Sequence, residues 1–176
     1  MAKKVAILAV NPVNGFGLFR YLEAFFENGI AYKVFAVAET TAIKTNSGIS
    51  LQTDDVVANL KGAESEFDAL VFACGNAMPK FSENAGRPEY RDLLTVIKTF
   101  GDKGKLIIGH CVGGLLFDIA GIASGRRLAL HPFVKDAVKT AIATDEACVV
   151  DGNFYTAQSE ACLLLLIPEV LKVLKQ

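Results

Sequence analysis

Apolar residues follow two periodicities that alternate along the chain. Residues 5–10 form a short, wholly apolar run, which is typical of a strand buried on both faces of a parallel sheet. Between residues 16 and 26 the apolar side chains recur three or four positions apart, which predicts a helix. Residues 32–37 form a second apolar strand. Together these segments predict one β-α-β unit, the building block of a parallel sheet.

The rest of the chain continues the alternation. We predict further strands over residues 68–74, 105–110, 126–130, 147–150 and 154–156, a hairpin or strand-turn around residues 43–51, and helices over residues 89–100, 112–119 and 159–174. Asp151-Gly152 is a suitable hairpin turn between the last two strands. Strands alternating with helices predict an α/β fold in three layers, with a mostly parallel sheet covered by helices on both faces.

Composition narrows the class of protein. Hydrophobic residues make up 52% and charged residues 21% of the 176 positions, which excludes disorder and fits a single domain spanning residues 1–176. A net charge of −1 and a pI of about 6.1 provide no basic surface for nucleic acid. The longest apolar run covers seven residues, 161–167, whereas a membrane-spanning helix needs about 20. We therefore expect neither a nucleic-acid nor a membrane partner.

The N-terminal segment and the cysteines both indicate a cytoplasmic protein. The first apolar run ends at Asn11-Pro12 and is shorter than the apolar region of a signal peptide. Four cysteines are present at positions 74, 111, 148 and 162, without any C-x-x-C pair. We expect four free thiols, most of them buried and inert. Cys74, at a strand end beside Gly75, is expected to be a buried apolar thiol, and the alternative is a resolving cysteine close to Cys111.

Candidate chemistry concentrates in residues 109–114, which read Gly-His-Cys-Val-Gly-Gly. A buried strand that enters a glycine-flanked turn and then a helix pushes the turn side chain above the sheet, as in a nucleophile elbow. That side chain is Cys111, and the nearby helix N-terminus lowers the pKa of such a thiol. The backbone N–H of Val112 points into the same space. The alternative is that Cys111 is a small buried apolar residue.

Several segments together resemble the ThiJ/PfpI family. They read GHCVGGLL at 109–116, AGI at 120–122, GRRLALHP at 125–132 and VVDGN at 149–153. The resemblance covers essentially the whole chain and implies a flavodoxin-like, class I glutamine-amidotransferase-like fold with a nucleophile-elbow cysteine. This family includes proteases, amidases, hydratases, glyoxalases, deglycases, chaperones and proteins without known activity.

The resemblance also implies roles for individual residues. It makes Cys111 the nucleophile and assigns the backbone N–H groups of Gly75 and Val112 to an oxyanion hole. It places His131, which precedes a proline, near the thiol as an acid–base group. A histidine satisfied by its own backbone is the alternative for that position.

Two departures from the family pattern bear on function. The protease branch has a histidine directly after the cysteine, where this chain has Val112, and strand alternation directs His110 to the other face of the sheet. Peptidase activity is therefore disfavoured. The glutamate that many members place in the first loop falls near Gly17, and residues 1–22 contain no acidic side chain. The carboxylate is absent or comes from elsewhere.

Two asparagines complete the candidate site, and several functions stay open. Asn14 in the first loop and Asn76 in the loop after residue 75 are candidates for substrate binding, or else ordinary polar loop residues. No metal-ligand spacing or nucleotide motif occurs, so we expect no metal and no cofactor.

The first hypothesis for the function is a cysteine-dependent enzyme for a small carbonyl or acyl compound. The alternatives are a redox-sensing thiol protein or chaperone, or an inactive member that binds a ligand. The family also implies a homo-oligomer, in the simplest case a dimer.

Overall fold

A computed structural model describes residues 3–176. Eleven strands are present: β1 Lys4–Val10, β2 Ala31–Val37, β3 Ala42–Lys44, β4 Ser50–Gln52, β5 Asp55–Val56, β6 Ala69–Ala73, β7 Leu106–His110, β8 Arg127–Ala129, β9 Ile142–Thr144, β10 Cys148–Asp151 and β11 Phe154–Ala157. The α-helices are α1 Gly15–Glu27, α2 Val57–Leu60, α3 Phe81–Asn84, α4 Pro88–Asp102, α5 Gly113–Ile119 and α6 Leu163–Leu174. Short 3₁₀ turns occupy Glu64–Glu66, Met78–Lys80, Pro132–Ala137 and Glu160–Cys162.

Seven strands form the central sheet, in the order β10-β11-β7-β6-β1-β2-β5. Every neighbouring pair in it is parallel except β10 with β11, which forms the predicted hairpin at one edge. Helices α1 and α6 contact each other on one face, and α2, α4 and α5 cover the other. The predicted three-layer α/β fold is confirmed. Within residues 3–176, none of the helices has the length and apolar character needed to cross a membrane.

The core is built around β1, the first apolar run of the sequence. Residues 5–10 are all 0% exposed, because β1 lies between β2 and β6 with helices on both sides. Burial of a Val, Leu or Ile side chain contributes about 1.5–3 kcal/mol, so each of the larger side chains of this strand stabilises the fold. The full apolarity of the run is thus explained by its central position.

The sequence pattern identified some of the small elements outside the central sheet and missed others. Residues 126–130 were expected as a strand, and Arg127–Ala129 forms β8, which pairs with β9 in a separate two-stranded sheet. The hairpin expected around residues 43–51 is confirmed, because β3 and β4 form an antiparallel pair. Strands β5 and β9 were missed, because segments of two and three residues are too short to show a periodicity.

Side chains of β7 alternate between the two faces as predicted. Gly109 faces α5, where an added Cβ would lie 2.8 Å from the Phe117 ring. His110 faces α1 and is 1% exposed, with its Nδ1 3.3 Å from the Tyr21 hydroxyl. Burial lowers the pKa of His110 to about 4, so the ring is neutral at physiological pH. A Cβ on Gly17 would lie only 2.7 Å from His110 Nε2.

We predict that Gly17→Ala destabilises the protein because the new methyl group meets the buried His110 ring. Overpacking a core typically costs about 1–3 kcal/mol of unfolding free energy, whereas alanine in a helix is otherwise favoured over glycine by about 1 kcal/mol. A net loss in urea titration is the expected result. As a control, Gly86→Ala should stay within about 0.5 kcal/mol of the parent, since no atom lies within 4 Å of a Cβ built there. A Gly17→Ala protein as stable as the parent contradicts this packing.

Candidate active site

One cavity opens at the carboxyl ends of the central strands. Its volume is about 560 Å³, and it is lined by residues that follow β1, β6 and β7, among them Asn14, Gly75 and Cys111. The chain leaves β1 towards β2 on one side and later returns to β6 on the other, so this is the point where the strand order reverses. Ligands of doubly wound sheets bind at such points.

Cys111 occupies a sharp turn between β7 and α5. Its φ of 56° is the one positive φ of a non-glycine residue among residues 3–176. This left-handed conformation is unfavourable for a residue with a side chain and persists where surrounding contacts hold it. Two hydrogen bonds hold it here: the Cys111 N–H donates to Ala157 O at 3.1 Å, and the His131 N–H donates to Cys111 O at 3.0 Å. The half-buried Cys111 side chain lines the cavity.

The thiol of Cys74 lies beside that of Cys111. The β6–β7 register pairs Phe72 with Gly109, and Cys74 and Cys111 each lie one residue beyond the end of their strand. A hydrogen bond from the Cys74 thiol lowers the pKa of Cys111, and the same contact raises the pKa of Cys74 well above its ordinary value. Cys74 therefore stays protonated and donates to the Cys111 thiolate. The sequence favoured a buried apolar thiol over a resolving cysteine at this position; the burial is confirmed, and a resolving role stays a prediction.

The two backbone amides expected to form an oxyanion hole are brought together. The N–H groups of Gly75 and Val112 lower the pKa of the Cys74 thiol, and the Val112 N–H also lowers the pKa of Cys111. Gly75 is required at its position, because an added Cβ would lie 2.2 Å from Pro12 O. Both residues line the cavity together with the two thiols, at the place where the sequence predicts an oxyanion hole.

A carboxylate reaches the site from the far end of the sequence. Glu160, in the 3₁₀ turn before α6, lines the cavity, and its Oε1 accepts a hydrogen bond from Asn14 Nδ2 at 3.1 Å. The Asn14 Oδ1 accepts from Gly17 N–H at 2.8 Å and thereby caps α1. The charge of Glu160 opposes the Cys74 hydrogen bond and raises the pKa of Cys111. The sequence analysis missed Glu160. Its one signal in the sequence is its position, as an acidic residue at the start of the predicted last helix.

His131 and Asn76 lie on the rim of the cavity. The Nδ1 of His131 accepts a hydrogen bond from Phe133 N–H at 3.3 Å, so the proton of the neutral ring is on Nε2. The ring also packs on Phe133 with a centroid distance of 5.1 Å. Asn76 is exposed, and its backbone N–H donates to Asn46 Oδ1 at 3.0 Å. The structure places all six predicted site residues around one cavity, and their catalytic and binding roles stay predictions.

The site contains titratable groups but no cluster of metal ligands. Within residues 3–176, no group of three or more His, Cys, Asp and Glu side chains has a geometry suited to a metal ion. The buried His110, whose Nε2 has no hydrogen-bond partner, is directed at the backbone of Gly17. The expectation of no metal and no cofactor stays a prediction.

Comparison with known proteins agrees with this geometry. Residues 3–173 match the model of the DJ-1/PfpI family. Protein ppBat of Bacteroides thetaiotaomicron is 61% identical over 175 residues, which cover 99% of this chain and 100% of that protein. The crystal structure of the "putative protease I" of the same organism, also 61% identical, has a TM-score of 0.97 and covers 98% of this chain and 99% of that one.

A more distant structure shows the same fold. DJ-1beta of Drosophila melanogaster is 20% identical and has a TM-score of 0.83 over 99% of this chain and 91% of its own. The resemblance seen in the sequence motifs is confirmed over nearly the full length. This chain belongs to the DJ-1/PfpI family.

Proposed function

We propose that the protein is a cysteine-dependent hydrolase or lyase for a small carbonyl or acyl compound, with Cys111 as the nucleophile. One observation carries this proposal: Cys111 is held at a φ of 56° in a cavity of about 560 Å³, and its pKa is lowered by a hydrogen bond from Cys74. A lowered pKa increases the thiolate fraction at neutral pH, and the thiolate is the attacking form.

The proposed first step is addition of the Cys111 thiolate to the substrate carbonyl carbon. The C–S bond forms as the carbonyl π electrons move to oxygen, and the Val112 and Gly75 amides stabilise the developing oxyanion. Each such donor typically contributes about 2.7–4 kcal/mol to the transition state. His131 in its imidazolium form then donates the Nε2 proton to this oxygen, or to a leaving group, and the neutral ring takes up a proton again in a later step.

Small substrates fit this site better than peptides. A cysteine peptidase needs a histidine within hydrogen-bond reach of the thiol to activate it. Here Val112 follows the cysteine, and His110 is neutral, buried and packed against α1. The name of the Bacteroides relative therefore does not by itself assign peptidase activity to this chain.

Substitution of the two proposed catalytic side chains should separate their roles. We expect Cys111→Ala to abolish turnover of methylglyoxal and of small amides, because the nucleophile is lost. His131→Ala should lower kcat by about 10²–10⁴-fold, the usual contribution of general acid–base catalysis. Steady-state assays measure both, and Cys148→Ser, at the sheet edge, is the matched cysteine control. Unchanged turnover in Cys111→Ala, or none in the parent protein, rules out the proposal.

The pKa of Cys111 should respond in opposite directions to its two neighbours. Cys74→Ala removes the hydrogen bond that stabilises the thiolate, so the pKa of Cys111 should rise. Glu160→Gln removes a negative charge, so this pKa should fall. The rate of Cys111 alkylation against pH, followed by peptide mass spectrometry, measures both shifts, with Cys148 and Cys162 as internal references. Two variants that titrate like the parent would show that neither group controls the thiol.

A second candidate function is a redox-sensing thiol protein or chaperone with little turnover. The observation that favours it is the buried thiol of Cys74 beside the partly exposed thiol of Cys111. Peroxide titration followed by mass spectrometry tests this candidate. Cys111 should be oxidised before the other three cysteines, because thiolate character and exposure govern susceptibility. Oxidation spread evenly over the four cysteines contradicts it.

We further propose that the protein is a cytoplasmic homodimer. Four free cysteines suit a reducing compartment. Large apolar side chains are exposed on the adjacent helices α1 and α6: Phe16 at 51%, Phe19 at 42%, Leu164 at 59% and Leu165 at 58%. Size-exclusion chromatography with light scattering should give about twice the chain mass of 18.8 kDa. A mass equal to one chain would refute the dimer.

A further inference from the structure

The register of the central sheet brings two cysteines to matching positions. Strands β6 and β7 are parallel, with Phe72 opposite Gly109, and each strand reaches a cysteine two residues later. Neighbouring strands lie about 4.7–4.9 Å apart. A disulfide requires Cα atoms roughly 4.4–6.8 Å apart. Cys74 and Cys111 directly follow the ends of these two neighbouring strands, which makes the pair a candidate for a disulfide.

The side chains of this pair also face each other. Gly109 and Phe72 both face α5: a Cβ on Gly109 would contact the Phe117 ring, and a Cβ on Gly113 would lie 3.3 Å from Phe72. Cys74 and Cys111 lie just beyond these residues, and Cys111 occupies a left-handed turn with its side chain lining the cavity. The Cys74 thiol lines the same cavity, and the two thiols shift each other's pKa: Cys74 lowers that of Cys111, and Cys111 raises that of Cys74.

The two thiols differ in access to solvent. Cys74 is 4% exposed, whereas Cys111 is partly exposed in the open cavity. A small oxidant entering the cavity meets the Cys111 sulfur first, and Cys74 is then the nearest thiol to the oxidised product. This asymmetry is the arrangement of a peroxide-reactive cysteine with an adjacent resolving cysteine.

We propose that Cys74 is a resolving cysteine, and that hydrogen peroxide converts Cys74 and Cys111 into an intramolecular disulfide. The proposal rests on the reactive Cys111 thiol described above and does not depend on turnover of any carbonyl compound.

The proposed reaction balances in two steps. The Cys111 thiolate attacks one peroxide oxygen, the O–O bond breaks, and hydroxide leaves with a proton as water, which gives a Cys111 sulfenic acid. The Cys74 sulfur then attacks the Cys111 sulfur, the S–O bond breaks, and the hydroxyl leaves with the Cys74 proton as a second water. In total, two thiols are oxidised by two electrons and one peroxide is reduced to two waters.

The disulfide would protect the nucleophile while switching it off. A sulfenic acid without a nearby thiol is oxidised further to sulfinic acid, which is irreversible for most proteins. The disulfide returns to two thiols by exchange with a reducing thiol. Cys111 chemistry would thus be stopped reversibly by peroxide.

The test is to treat the full-length protein with one equivalent of hydrogen peroxide, denature it, and alkylate the remaining thiols. The intact mass should show the loss of two hydrogen atoms and alkylation of only Cys148 and Cys162. Non-reducing peptide mapping should recover the Cys74 and Cys111 peptides as one cross-linked species, which dithiothreitol separates. Dimedone should label Cys111 weakly in the parent protein and strongly in Cys74→Ser.

The matched control is Cys148→Ser, which removes the other possible pairing, with Cys162, and should form the same disulfide. The proposal is overturned if Cys111 gains two oxygen atoms in the parent while Cys74 remains alkylatable. This result is obtained with the parent protein, so it holds even if Cys74→Ser folds poorly. It would overturn the disulfide but not the reactivity of Cys111. A Cys111 that stays reduced, and is therefore alkylated after denaturation, overturns the disulfide; if Cys111 of the native protein is also alkylated no faster than Cys148 and Cys162, the proposed nucleophile fails as well.

Discussion

The parallel register of β1, β6 and β7 is the constraint on which the site depends. It aligns three strand ends at one edge, so that Asn14, Gly75 and Cys111 meet around a single cavity although they are distant in sequence. Gly75 shows how close this approach is, since any side chain there would overlap Pro12 O. Cys111 lies in a left-handed turn at this edge, and backbone hydrogen bonds to Ala157 and His131 hold that turn.

Within this frame, the thiol is surrounded by groups different from those that the family pattern implies. The position near Gly17 has no carboxylate, and its space is filled by His110, which is buried between β7 and α1. The carboxylate comes instead from Glu160, held by Asn14. Because Glu160 raises the pKa of Cys111 while Cys74 lowers it, the thiolate is stabilised by a neighbouring thiol.

This arrangement connects the two candidate functions. Cys74 lowers the pKa of Cys111, which favours the proposed attack on a carbonyl, and Cys74 is also the proposed resolving cysteine. The Gly75 and Val112 amides of the proposed oxyanion hole lower the pKa of Cys74. The proposed nucleophilic chemistry and the proposed peroxide chemistry therefore use one set of atoms, and the oxidation state of the thiol pair would decide between them.

The sequence by itself determined the layers of the fold and the elbow. Both follow from local patterns, each of which spans only a few positions of the sequence. These patterns are the apolar run of residues 5–10, the helical spacing of α1 and the glycines around Cys111. Only the tertiary structure decided which groups surround the thiol. Cys74 and Glu160 reach Cys111 through strand register and through the docking of α6, and β8 and β9 pair across a loop. Such contacts depend on how distant segments pack, and no local periodicity records that packing.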